Sequence, residues 1–259
     1  MTGSPVRIAI FALLLLSVPA CGGLGGTASA GYTQMSLSGD IALAPTSGGV
    51  SLGTIRQDVE SALGLDDASG SPYVRGDVNA AIVTFTASAF QYDQSGTGTL
   101  TANFGNISAG TQVRSDVELW NLQGAALFEL LNIGPVRLAP GIGVNYFTGD
   151  IDVSSLTGPS ITENVSVDAP IPLLFGEGEV KLGNLRGIVD VGWISGEYGD
   201  VDGTYLDLAG TVRMEIAAHL EVFAGYRWLE ADLKGTVDGQ AFQGDLVLQG
   251  WFLGGSLRF

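Results

Sequence analysis

Apolar and polar residues alternate along most of this chain, and a period of two is the signature of an extended strand with one apolar face. Segment 206–216 shows the pattern clearly, because its leucines, Val212, Met214 and Ile216 share one face and its charged residues the other. Such segments run for roughly ten residues, which suits a tilted strand that crosses a bilayer better than a soluble sandwich strand. Helical periodicity is nearly absent. The alternation predicts an all-β, transmembrane, antiparallel up-and-down β-barrel.

Connections between the alternating segments are short and long in turn, as in barrels with short turns on one side and long loops on the other. Ten strands are predicted: Thr33–Leu43, Pro72–Val78, Ala81–Tyr92, Thr111–Leu130, Pro135–Thr148, Val167–Leu182, Leu185–Ile194, Thr204–Ile216, Leu220–Lys234 and Leu246–Phe259. The first is the weakest, because Val50–Arg56 could replace it or pair with it. Eight strands is therefore the alternative.

Composition excludes several classes of protein. The formal charge is −16, yet 46% of the residues are hydrophobic and only 15% are charged. A disordered acidic chain would be far less hydrophobic. A nucleic-acid-binding protein would need a basic surface, so no nucleic-acid partner is expected.

The N-terminus has the pattern of an export signal. The apolar run Ile8–Leu16 follows Arg7 and is too short to span a membrane as a helix. We predict a signal peptide over 1–20, a linker over 21–32 and the barrel over 33–259. The only cysteine, Cys21, follows a segment similar to a bacterial lipobox and is a candidate for lipidation; cleavage after Ala20 or Ala30 by ordinary signal peptidase is the alternative.

The last strand carries a family resemblance. Trp251, Leu253, Leu257 and the terminal Phe259 share one face. This ending resembles the closing strand of Gram-negative outer-membrane β-barrel proteins, without identifying a subfamily. The resemblance implies recognition of these four residues by the barrel-assembly machinery, an outer-membrane location, and contact with outer-membrane lipid and lipopolysaccharide.

The polar faces of the predicted strands would line the lumen. A narrow lumen with so many charges is expected to be filled by ion pairs and hydrogen bonds. The predicted lumenal charges are eight bases and eleven acids: Asp40, Arg75, Asp77, Arg114, Asp116, Glu118, Glu129, Arg137, Glu177, Glu179, Lys181, Arg186, Asp190, Asp207, Arg213, Glu215, Glu221, Arg227 and Arg258.

The remaining acids are assigned to extracellular loops, where they would keep the surface solvated. Asp200, Asp202 and Asp207 resemble part of a calcium loop but lack its full spacing and terminal Glu. An aromatic girdle at the membrane interface is predicted from Tyr92, Tyr146, Trp193, Trp228 and Trp251.

The sequence does not predict an enzyme. Its single histidine, His219, falls in a predicted short turn on the periplasmic side, away from an extracellular active site. One histidine and one cysteine also disfavour zinc, so no catalytic residue, cofactor or metal site is predicted. The favoured function is a structural or surface-interaction barrel with a filled, charged lumen and acidic extracellular loops. The alternative is a narrow channel for small solutes.

Overall fold

A computed structural model describes residues 24–44, 56–198, 201–237 and 240–259. The predicted signal peptide, Cys21 and most of the alternative strand at 50–56 lie outside these residues. No helix within the described ranges is long and apolar enough to cross a membrane. The described residues form these strands: β1 Leu24–Leu43, β2 Gln57–Asp58, β3 Ser69–Ala80, β4 Val83–Thr99, β5 Gln112–Phe128, β6 Leu131–Ile133, β7 Val136–Ser155, β8 Thr162–Leu182, β9 Leu185–Tyr198, β10 Val201–Ala217, β11 Leu220–Val237 and β12 Gln240–Arg258.

Ten of the strands close into a ring. Each long strand pairs antiparallel with its neighbour in the chain, and β12 pairs with β1 from Thr27–Arg258 to Leu43–Phe242. The short strands β2 and β6 attach to β1 and β7 without entering the ring. The ten-stranded, up-and-down antiparallel barrel is confirmed, and the eight-stranded alternative is wrong.

The two ends of the barrel differ. Tight two-residue turns at 81–82, 134–135, 183–184 and 218–219 lie at one end, which we call the short-turn end. The chain termini of the barrel meet there, where Gly26 and Phe259 exchange backbone hydrogen bonds of 2.9 and 3.0 Å. The longer connections lie at the opposite, long-loop end. In outer-membrane barrels these ends face the periplasm and the exterior, respectively.

The strands are longer than the sequence predicted. The predicted linker over 21–32 is wrong from Leu24 onward, because β1 begins there and pairs with both β3 and β12. Much of the predicted loops at 94–110, 149–166, 195–203 and 235–245 is also strand. A 20-residue strand with ordinary rise and tilt spans about 50 Å, roughly twice the apolar band of such barrels. The barrel wall therefore projects well beyond the lipid.

The polar and apolar faces of the strands exchange sides where the wall leaves the membrane. On β7, Ile142 and Val144 point outward into the lipid region and are exposed, whereas farther along Ile151 and Val153 point inward and are buried. Asp152 then occupies the outward face. The same strand thus has a polar inside near the short-turn end and an apolar inside near the long-loop end.

The apolar interior at the long-loop end is closed by two inserted segments, which together we call the plug: residues 56–65 and 100–111. Their side chains Val59, Leu63, Leu65, Phe104 and Ile107 are fully buried within the main hydrophobic core. The core also includes inward residues of the surrounding strands: Met35, Leu37, Ile41, Leu43, Val113, Val117, Ile151, Val153 and Val165.

Candidate functional site: the barrel lumen

The lumen near the short-turn end is filled by ion pairs, and its outermost layer lies at the mouth. Arg186 donates two hydrogen bonds to Glu221, at 2.5 and 2.7 Å. Arg258 pairs with Glu215 at 3.1 Å and with Glu221 at 3.5 Å. Glu179 lies 3.8 Å from Arg186. Charge-assisted hydrogen bonds of this kind both order the side chains and offset their desolvation.

A second layer is centred on Arg75, which is 8% exposed. Its guanidinium contacts three carboxylates: Asp77 at 2.9 Å, Glu177 at 3.0 Å, and Asp190. Two further arginines neutralise the excess negative charge, since Arg213 bonds Asp77 and Arg137 bonds Glu177. Because β3, β8, β9 and β10 each contribute a residue, this layer braces opposite sides of the ring.

A third layer combines one ion pair with amides and a phenol. Arg227 donates to Asp207 at 3.0 and 2.7 Å, and its guanidinium lies 5.2 Å from the centre of the Phe90 ring. Gln123 also donates to Asp207, and Asn145 donates to the hydroxyl of Tyr205 at 2.6 Å. An aromatic group packs inside the lumen on β3, β11 and β12: Tyr73, Phe223 and Phe252.

Most of the predicted lumenal charges lie on the inner face. Those placed there are Arg75, Asp77, Glu129, Arg137, Glu177, Glu179, Lys181, Arg186, Asp190, Asp207, Arg213, Glu215, Glu221, Arg227 and Arg258. Within the described part of the chain, Lys181 is the only member of this set without an ion pair.

Four predicted lumenal charges are outside the barrel, so these assignments are wrong. Arg114 and Asp116 pair with each other on the exterior, at side-chain exposures of 55% and 48%, and Glu118 is also exposed. Asp40 lies opposite Asp245 on the outward row, between inward residues of β1. The error has one physical cause: all four lie beyond the lipid, where the polar face is the outer face.

The plug was missed because its residues were assigned to polar loops. Gln57 is fully buried and fixes the two plug segments together. Its Nε2 donates to the Ala102 carbonyl at 2.9 Å, and its Oε1 accepts from the Thr101 amide at 2.9 Å. The apolar residues of both segments are a signal that could have revealed a buried cap: Val59, Leu63 and Leu65 in the first, and Leu100, Phe104 and Ile107 in the second.

Asp58 stabilises the turn of the first plug segment. Its carboxylate accepts from the backbone N–H and the hydroxyl of Ser61, each at 2.7 Å. These hydrogen bonds, the backbone one foremost, lower the pKa of Asp58 below its ordinary value.

A seam in the barrel wall was also missed. β8 pairs with β9 only from Leu174–Trp193 to Leu182–Leu185, and among the described residues the rest of β8 has no partner on that edge. Pro170 and Pro172 lie at the start of the unpaired stretch. Proline has no N–H to donate, so two proline residues at alternate positions on one edge stop the ladder.

Acidic residues outside the lipid region lie mainly on strands rather than in loops. Asp150, Asp152, Asp202, Asp232 and Asp245 all belong to strands. Asp202 pairs with Lys234 at 2.9 Å on the exterior, whereas Asp207 is buried in the lumen. Those two residues of the calcium-loop alternative therefore point to opposite faces, and Asp200 lies outside the described residues.

Not all of the aromatic residues predicted for the girdle lie on the outer face of the barrel. Trp193 and Trp251 are exposed on the outer face, but Tyr92 is fully buried inside the barrel, so its assignment to the girdle is wrong. The closing-strand residues Leu253, Leu257 and Phe259 are exposed. His219 lies in a short turn with a φ of 69°, and its Nδ1 is 3.0 Å from the Arg258 carbonyl oxygen.

The fold matches solved outer-membrane barrels. The crystal structure of the outer membrane protease OmpT from Escherichia coli superposes with a TM-score of 0.61 at 10% identity, covering 91% of this chain and 97% of that one. Ail of Yersinia pestis, solved with a heparin analogue, gives 0.41 at 12% identity, covering 92% and 100%. Neisserial surface protein A gives 0.36 at 12% identity, covering 92% and 98%. No protein-family profile and no curated sequence matches the chain.

A closed antiparallel barrel with an apolar outer band and a polar interior at the same level is the fold of outer-membrane β-barrel proteins. The chain is accordingly an outer-membrane β-barrel of ten strands, and it is placed in the bacterial outer membrane.

Proposed function

We propose that this protein is a non-conducting outer-membrane barrel with a structural or surface-interaction role. The observation that carries the proposal is that the lumen is filled along its whole length, by ion-paired side chains at one end and by an apolar plug at the other. Ion-paired layers occupy the part near the short-turn end, and the plug with its apolar core occupies the part near the long-loop end. A continuous aqueous path would have to cross both.

The polar wall beyond the lipid supports a role in surface contact. Outward carboxylates there accept short hydrogen bonds from hydroxyl and amide groups, such as Ser166 to Asp150 at 2.6 Å and Asn164 to Asp152 at 2.8 Å. We propose that this wall contacts the lipopolysaccharide headgroups and external partners, and that the exposed closing-strand face meets the barrel-assembly machinery during insertion.

A proteolytic role like that of the similar protease is not proposed. The only histidine of the chain, His219, lies at the short-turn end, and its ring is held beside the Arg258 carbonyl. Support for a non-enzymatic role therefore comes from the placement of this residue.

Planar-bilayer conductance tests the proposal. The purified protein is expected to give no stable current steps, and neutral variants Arg213→Gln and Arg227→Gln are expected to remain closed while the plug is intact. A porin reconstituted in parallel provides the positive control. Stable wild-type steps whose size or ion selectivity changes in either variant would instead show a narrow channel.

A further inference from the structure

The outermost part of β8 is an edge of the barrel wall with no neighbouring strand. β8 pairs with β7 along almost its whole length, but it pairs with β9 only as far as Leu174–Trp193. Continued from that pair, the register would bring Tyr198, the last residue of β9, level with residue 169. Residues 162–168 therefore rise above β9, in the part of the wall beyond the lipid. We call residues 162–168 the free edge.

The free edge carries backbone donors and acceptors that face no described strand. In an antiparallel ladder, alternate residues point their N–H and C=O groups to the same side. The odd-numbered residues of β8 face β7, because the Ile161 carbonyl accepts from the Ser155 N–H at 2.9 Å and the Lys181 N–H donates to the Pro135 carbonyl at 2.7 Å. The even-numbered residues of the free edge therefore point these groups away from β7, where the described part of the chain places no partner. An extended edge of this kind is a template for another strand.

The free edge is held in its extended form from both faces. On the outer face, side chains bond back to β7, as Ser166 does to Asp150 at 2.6 Å, and so they leave the edge uncovered. On the inner face, Val165 is buried in the core, and the carboxylate of Glu163 accepts from the backbone N–H of the plug residue Asn106 at 2.8 Å. A strand that is already fixed loses little conformational entropy when another strand pairs with it.

The outer surface around the free edge is negatively charged. Four acids lie there: Asp150, Asp152, Asp168 and Glu197. None of them forms an ion pair with a residue that the structure describes. The inner side of the same wall is apolar, since Val165 belongs to the core and Ile194 of β9 packs against it. A strand added here would therefore be favoured by basic side chains that point outward and apolar side chains that point inward.

We propose that the free edge binds an extended cationic peptide as an additional antiparallel strand. Peptide residues opposite Asn164, Ser166 and Asp168 exchange backbone hydrogen bonds with β8 and point their side chains outward. Lysine or arginine at these positions meets the acids, and the apolar residues between them point inward. The proposal rests on the surface-interaction role proposed above and names the class of partner. Conductance does not involve the free edge, so the two proposals can fail separately.

Fluorescence anisotropy of a labelled octapeptide of alternating lysine and valine tests the binding. The full chain is folded in non-ionic detergent, and we expect saturable binding of this peptide but none of a matched peptide of alternating glutamate and valine. N-methylation of the backbone then reports strand pairing, because it removes a donor. Methylation at the lysines, whose N–H groups would face β8, is expected to weaken binding by about tenfold. Methylation at the valines, whose N–H groups would face away, is expected to leave binding unchanged.

Two variants test the protein side of the same contact. Ser166→Pro and Ser166→Ala both lose the hydroxyl, but only the proline variant loses the N–H on the free edge, so it is expected to bind about tenfold more weakly than Ser166→Ala. Amide exchange measured by nuclear magnetic resonance should be fast at alternate residues of 162–168 in the free protein and slow in the complex.

Three results would overturn the proposal. Absence of binding would do so directly. Equal binding of the two N-methylated peptides would mean adsorption by charge alone. Slow exchange of every amide in residues 162–168 without the peptide would show that another part of the chain covers the edge. The N-methylated peptides test the proposal even if Ser166→Pro fails to fold.

Discussion

At the scale of single residues, the interior of this barrel depends on compensation among buried charges. Arg75 faces three carboxylates, and Arg213 and Arg137 balance the remainder. Removal of one partner from such a group leaves a charge buried without compensation. The resulting loss of stability is much larger than the stability that the intact pair provides over an apolar replacement. The effect of a substitution on stability should therefore depend more on the position of the residue in the network than on the number of ion pairs that it forms.

Arg75→Gln is expected to lower the free energy of unfolding by about 3–5 kcal/mol, because Asp77, Glu177 and Asp190 would repel one another in a dehydrated lumen. Urea unfolding in lipid vesicles measures this change. The matched control is Arg114→Gln, whose exposed pair with Asp116 contributes little to stability. Adding Asp190→Asn to Arg75→Gln should restore part of the loss. Equal effects of Arg75→Gln and Arg114→Gln would contradict the role assigned to the network.

At the scale of strands, proline residues set where the wall opens. On β7 and β8, Val144 lies opposite Pro172 and Tyr146 opposite Pro170. Both proline residues occupy positions whose N–H would point away from β7, toward β9. The seam is therefore encoded in β8 itself.

Pro172→Thr is expected to extend the β8–β9 ladder by one step, since the new N–H can donate to the Ser195 carbonyl, the next position after the Leu174–Trp193 pair. Ser195 N–H can donate in return to the carbonyl of residue 172, so hydrogen exchange followed by mass spectrometry should show slower exchange for the peptide that contains residues 194–197. A Thr substitution at Pro159, in the β7–β8 turn, is the control and should leave this segment unchanged. Unaltered exchange at 194–197 in Pro172→Thr would mean that something other than the missing donor keeps the seam open.

The start of β1 bears on the processing of the chain. Residues 24–30 pair with β3, and from Thr27 also with β12, so cleavage after Ala30 would remove part of the strand that closes the ring. Mass spectrometry of the mature protein should therefore give an N-terminus at or before Leu24. In the same experiment, Cys21→Ser tests lipidation, because only a lipidated chain loses the mass of its acyl groups. A mature chain beginning at Gly31 would contradict the closure described for β1.

The strand pattern predicted the number and order of the strands. It did not predict their length, or the exchange of their polar and apolar faces beyond the lipid. Alternation shows which residues share a face, and it correctly grouped Arg213 with Glu215 and Leu208 with Val212. It cannot show which face is inside once a strand leaves the lipid, so Arg114 and Asp116 were placed in the lumen. The plug has no alternation at all, and its burial depends on contacts between segments distant in sequence, such as Gln57 with Ala102.

At the scale of the whole molecule, the barrel is two structures joined end to end. The part within the membrane has apolar residues outside and ion pairs inside, and the part beyond it has apolar residues inside and acids outside. This division explains how a chain with a charge of −16 is also nearly half hydrophobic. It also places two closures in series across one lumen, the plug and the ion-paired layers.

Single-channel conductance of matched variants separates these two closures. The plug variant combines Leu63→Asp with Phe104→Asp, which places charge in its fully buried core. The layer variant removes one ion pair from each of the three layers: Arg186→Ala with Glu221→Ala, Arg75→Ala with Asp190→Ala, and Arg227→Ala with Asp207→Ala. We expect no stable current from the wild type or from either variant alone, and discrete steps only when both sets are combined. Steady open steps from the wild type, or from either variant alone, would contradict a lumen closed twice.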